Sequence, residues 1–143
     1  MEIKNFVITG FGRSGTNFLS DVMNKSKKWT VLHEPRGAKD ELYHDSTKYF
    51  NKQIQPSFNT QNYGEVNSYL RFNFEKIKTD KKGILLRNPL NIFLSVMNRK
   101  DYINKYKSFV DQIDFWYNEF ERLLKNDKTI EPIVFEKITM DSY

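Results

Sequence analysis

Residues 3 to 9, IKNFVIT, are mostly β-branched or aromatic and stop at Gly10. A short apolar run closed by glycine predicts a buried parallel strand that feeds a turn. From Thr16 onward, Phe18, Leu19, Val22 and Met23 recur at helical spacing, which predicts a helix to about Lys25. Trp29 to His33 predicts a second short strand, stopped by Pro35 and Gly37. The segment from Lys39 to Asn51 is expected to be helical and half exposed, and residues 52 to 63 to form a polar surface loop. Leu70, Phe74 and Ile77 keep an i, i+4, i+7 pattern that predicts a further helix. Gly83 to Leu86 predicts a third strand, and Asn88-Pro89 after it a helix start, because Asn caps and Pro fits the first turn. Ile92, Phe93, Val96 and Met97 supply that helix's inner face. Phe109, Ile113, Trp116, Phe120 and Leu123 mark a longer helix ending near Asn126, and Pro132 to Phe135 a last strand.

Strands alternating with helices predict an α/β fold with a parallel sheet flanked by helices. The 143 residues are expected to form one domain, since no repeat, low-complexity segment or linker interrupts them. No run of 18 apolar residues is present, so no membrane span is expected. The apolar piece at the N-terminus is too short for a signal peptide, which makes a soluble cytoplasmic protein the expectation. With no cysteine, disulfides and thiolate metal sites are excluded. The net charge of +5 suits an anionic partner without choosing among nucleotide, acidic glycan and nucleic acid.

The candidate chemistry begins at GFGRSGTNFL, residues 10 to 19. A Walker A loop reads G-x-x-x-x-G-K-[ST] between a strand and a helix. Gly10 and Gly15 keep the glycine spacing, but Thr16 stands in the lysine position and Asn17 in that of the Ser or Thr. The positive charge sits earlier, at Arg13, and hydroxyls stand at Ser14 and Thr16. Backbone N–H groups at such a helix start favour an anion. A loop lacking the lysine is poorly equipped for ATP and magnesium. It is expected to be P-loop-like in shape and to hold an anionic group through Gly12 to Asn17. A second anchor is expected at Arg87, at the carboxyl end of a strand where ligands of open α/β sheets bind.

GFGRSGTNFL resembles the 5′-phosphosulfate loop of the PAPS-dependent sulfotransferases, in which [K/R]-S-G-T follows the first strand. PAPS is 3′-phosphoadenosine 5′-phosphosulfate. LLRNPLNIFLS, residues 85 to 95, is similar to the family's second motif, R-[D/N]-P with a serine eight positions after the arginine. The resemblance implies a P-loop-like three-layer sandwich, PAPS as sulfate donor, no metal, and Arg87 with Ser95 on the 3′-phosphate. It also implies transfer of a sulfuryl group to a hydroxyl or amine of an acceptor such as a carbohydrate, with Arg13 neutralising the leaving phosphate. EPIVFEKI, residues 131 to 138, resembles the family's later strand, with Glu136 in a structural role.

A general base is expected in VLHEPRG. Glycan-modifying members place a glutamate about twenty positions after the basic loop residue, and Glu34 lies 21 after Arg13. His33 is the alternative, and strand alternation predicts that one of the two faces the crevice and the other away. His44 lies too early for the histidine pattern of small-molecule sulfotransferases. His33, Arg36, Glu65 and Ser68 are expected on the acceptor side. Many members continue into a glycine- and basic-rich lid; with Tyr143 the last residue, a lid is expected to be absent, formed by residues 39 to 63, or supplied by a partner subunit in an oligomer. The other readings are a non-catalytic module binding PAPS or its desulfated product, or a degenerate P-loop nucleotide-binding protein. A kinase is opposed by the missing lysine. A nucleic-acid binder is opposed by arginines placed at strand ends rather than among aromatics.

Overall fold

The computed structural model describes residues 2–37, 47–97 and 106–141. Five strands form one sheet: β1 (Asn5–Gly10), β2 (Thr30–Leu32), β3 (Tyr63–Val66), β4 (Lys81–Leu86) and β5 (Ile130–Val134). Their spatial order is β2-β3-β1-β4-β5, and every pairing is parallel. β1 therefore lies in the middle, with Ile8 opposite Val66 on one side and Gly83 on the other. Pro132 is tolerated within β5 because that strand lies at the sheet's edge and pairs only with β4.

Alternation along β1 splits the core into two layers. Val7 faces a cluster with Ile54, Phe58, Leu70, Phe74, Ile84, Ile92 and Phe120. That layer is covered by α3 (Pro89–Met97), α4 (Tyr106–Asn126) and the helical turns that follow α2 (Thr47–Tyr49). Ile8 faces the other layer, with Leu19, Val31, Val66 and Leu85 packed beneath α1 (Thr16–Met23) and α5 (Phe135–Asp141). The result is the expected P-loop-like three-layer α/β arrangement.

Most of the expectations that fail lie between β2 and β4. β3 is a strand that the sequence pattern did not announce, although all four of its residues are buried. Residues 52–63 are not a surface loop: a wide helical turn (Phe50–Ile54) and a tight one (Gln55–Asn59) sink Ile54 and Phe58 into the core. Leu70, Phe74 and Ile77 are buried as the periodicity required, but the backbone makes only a tight turn at Ser68–Phe72 instead of an α-helix. Asn67 Oδ1 accepts from Tyr69 N at 2.9 Å and starts that turn. Phe135, read as strand, opens α5. Most of the expected helix at 39–51, and His44 with it, lies outside the described residues.

Candidate functional site

The site forms where β1, β3 and β4 end. β1 ends at Gly10, where glycine is required because a Cβ would meet Leu85 O at 2.7 Å and Ser14 Oγ at 2.8 Å. The chain then turns tightly, with Ser14 N donating to Phe11 O at 3.1 Å. Gly15 adopts φ 101°, conformational freedom that only glycine supplies cheaply, and α1 begins at once. A Cβ at Gly15 would also overlap the Phe135 ring at the start of α5. The loop is thus moulded between β4 and α5.

Arg13 (φ 68°) and Glu34 (φ 49°) are non-glycine residues held in the left-handed region. Such strain costs about 1–3 kcal/mol per residue and gathers at functional sites. Both residues line one open cleft of about 750 Å³ above the strand ends. Gly12, Gly15, Thr16, Asn17, Arg87 and Ser95 line it as well, as do His33 and Ser68. Most residues named from sequence therefore come together.

The two basic anchors interlock. Arg87 Nη1 donates to Arg13 O at 2.9 Å, and Arg13 Nη2 donates to Ser95 Oγ at 3.4 Å. The Arg87 guanidinium lies 4.9 Å from the centre of the Phe135 ring, the same ring that packs on Gly15. Its backbone is pinned by Tyr117, whose hydroxyl accepts from Arg87 N at 3.1 Å and donates to Arg87 O at 2.5 Å. Burial pushes the Tyr117 hydroxyl's pKa up, so it remains a donor. Glu136, read from sequence as structural, accepts from Asn88 N at 2.7 Å and so fixes the start of α3 beside Arg87. Burial by itself would raise the Glu136 carboxyl, but hydrogen bonds from Asn88, its own backbone and Asn91, with Arg87 nearby, hold it below the ordinary range.

Other expectations change. His33 and Glu34 do not face opposite ways; both line the cleft, because β2 ends at Leu32 and Glu34 sits in a turn closed by Gly37 N donating to Glu34 O at 3.0 Å. His33 Nδ1 donates to Val66 O at 2.9 Å, and its Nε2 lies 3.5 Å from Glu34 Oε1. Ser14 is fully buried beneath the loop and is not part of the cleft lining. Arg36 and Glu65 do not line the cleft either. Arg36 Nη2 donates to Glu65 Oε2, and that fully buried carboxylate also accepts from Tyr63 Oη at 2.6 Å and Asn67 Nδ2 at 2.9 Å. Burial first, then Glu65, drive the Tyr63 pKa far up.

Sequence reasoning missed the aromatic wall made by Phe11, Tyr69 and Phe109, with Phe11 and Phe109 edge-to-face at 5.3 Å. It also missed Tyr117 and Phe135 as supports. Their helical and strand periodicity announced only core positions.

This architecture defines the class of the protein, a P-loop-like α/β fold with its cleft at the strand ends. Solved structures with this likeness include the thymidylate kinase of Candida albicans, at TM-score 0.54 and 12% identity over 92% of this chain and 83% of that one. The thymidylate kinase of Ehrlichia chaffeensis follows at TM-score 0.46 and 10% identity, covering 92% of this chain and 86% of that one. No family model matches the chain, and no curated protein does. The expectation of a PAPS-dependent sulfotransferase is accordingly corrected: the structural likeness runs to kinases, and at this identity it establishes the fold alone. Among the described residues, no helix is long and apolar enough to cross a membrane.

Proposed function

We propose that this chain is a P-loop-like nucleotide-binding protein whose ligand carries phosphates at two positions of one sugar, as 3′-phosphoadenosine 5′-phosphate and PAPS do. The observation that carries the reading is the hydrogen bond from Arg87 to the backbone of Arg13. It sets the loop at the start of α1 beside the guanidinium at the end of β4, which supports reading the two as one anion-binding zone. Phosphates on the 5′ and 3′ oxygens of a single ribose are only a few bonds apart, which suits neighbouring grips. A triphosphate suits them less, because Thr16 stands where a lysine would meet its terminal phosphates. The proposal concerns recognition of the nucleotide and assigns no transfer reaction.

Calorimetric titration with 3′-phosphoadenosine 5′-phosphate, AMP and ATP tests it. The bisphosphate is expected to bind about tenfold or more tighter than AMP, the worth of one charge-assisted grip. Arg13→Ala and Arg87→Ala should each weaken it by about 10- to 100-fold. No binding of the bisphosphate, or a preference for ATP, would overturn the reading.

A further inference from the structure

The cleft has a second half that the nucleotide reading does not use. Aromatic rings and a further cation are supplied there by the tight turn after β3 and by the first turns of α4. There Tyr69 and Phe109 present rings, Arg71 presents a cation, and Gln112 stands at the rim. Among the described lining residues the acidic side chain is Glu34, so with Arg13, Arg71 and Arg87 the described lining is net positive.

Arg71 is built into its place. Its guanidinium lies 4.4 Å from the Phe72 ring centre, 5.1 Å from that of Trp116 and 5.4 Å from that of Phe11. Its Nη1 donates to Ser68 O at 2.8 Å. A guanidinium fixed by stacked rings has given up rotamer freedom and much of its water before any ligand arrives. That preorganisation raises its attraction for an anion and lowers the cost of binding one. The neighbouring rings favour a flat apolar body attached to that anion.

We infer that this half of the cleft is a compartment for a second ligand, an aromatic ring bearing an anionic oxygen group, with Arg71 as the residue that recognises the charge. The assignment rests on the reading of the loop side as the nucleotide's place, and it deepens that reading by naming the class of its companion.

The test uses 4-hydroxybenzoate and phenol, which share a ring and differ in one carboxylate. Binding of each is measured by ligand-observed NMR, with the bisphosphate titrated separately on the same protein. In the unmodified chain 4-hydroxybenzoate should bind about tenfold tighter than phenol, as expected for one charged hydrogen-bonded contact. Arg71→Gln should abolish that difference while leaving bisphosphate affinity within about twofold. Tyr69→Leu keeps the cation and should weaken both probes together, by about 2- to 10-fold; it serves as the independent variant if Arg71→Gln does not fold. Equal affinity for the two probes would overturn the inference. So would an Arg71→Gln protein that loses the bisphosphate as fully as Arg87→Ala does, because Arg71 would then serve the nucleotide. Failure of the bisphosphate to bind would sink the function proposed above, yet the difference between the two probes would still decide the role of Arg71.

Discussion

Two strand–turn units meet at the cleft and are held by different means. The unit from β1 to α1 is held by backbone geometry and close contacts at glycines: Gly10 against Leu85 O, the Ser14–Phe11 turn, and Gly15 at φ 101°. The unit from β3 to the turn at Ser68–Phe72 is held by a buried charge, Glu65, whose partner Arg36 is 29 residues away. The first kind of support needs no buried charge: its glycines stand at fixed spacing in the sequence and fit closely against Leu85 and Phe135. The second depends on a partner brought by the fold, and leaves an uncompensated carboxylate if that partner is lost.

The sharpest way to break this comparison is at Glu65. Glu65→Ala removes the acceptor of Arg36, Tyr63 and Asn67 together. It should cost about 3–5 kcal/mol of stability, read from denaturant unfolding. Replacing both charges, as Arg36→Met with Glu65→Leu, should recover the part of that loss due to the stranded arginine, while Tyr63 and Asn67 still lack their Glu65 acceptor. If Glu65→Ala left the unfolding midpoint unmoved, β3 would not depend on its charge.

A smaller loss is expected from the loop. Gly15→Ala places a methyl into the Phe135 ring at a backbone angle that L-residues rarely adopt. About 1–3 kcal/mol should be lost, divided between strain and overpacking. Gly15→Ala combined with Phe135→Leu should recover the overpacking part and leave the strain. Full recovery would mean that the φ of 101° demands nothing of the residue.

The same contrast explains what the sequence made legible. β1, the glycine loop, α1, β4, α3 and α4 follow from local signals: an apolar run, two glycines at fixed spacing, an Asn-Pro start, and helical periodicity. β3 escaped because Gly64 and Glu65 break the apolar pattern of a buried strand. Gly64 is required because a Cβ there would strike the Phe6 ring, and Glu65 is tolerated only because Arg36 arrives from the turn after β2. Neither reason is visible within a few residues of either position. At the site, Arg13, Arg87, Ser95 and Glu34 were legible from motif spacing and do share one cleft. The identity of the ligand was not, because a glycine loop favours an anion without specifying which one. Arg36 was expected on the acceptor side for a similar reason: sequence shows a charge but not the partner that the sheet brings to it.

The smallest expected effect is also the most diagnostic of remote charge as a support. Glu136 reaches 48 residues back to Asn88 N and holds the first turn of α3, beside Arg87. Its carboxyl is held below its ordinary value of 4.5 in the folded chain. Because the folded state titrates lower than the unfolded one, its contribution is complete above about pH 4.5 and is lost as pH falls through the depressed folded value. Glu136→Gln keeps an acceptor for Asn88 but removes the charge, so it should lower stability slightly at neutral pH and flatten the decline below about pH 4.5. Unfolding curves at pH 7 and at intervals down to about pH 3 measure both effects. An unchanged acid slope in Glu136→Gln would assign that decline to other carboxylates, and would leave Glu65 as the case on which the argument for remote charge must stand.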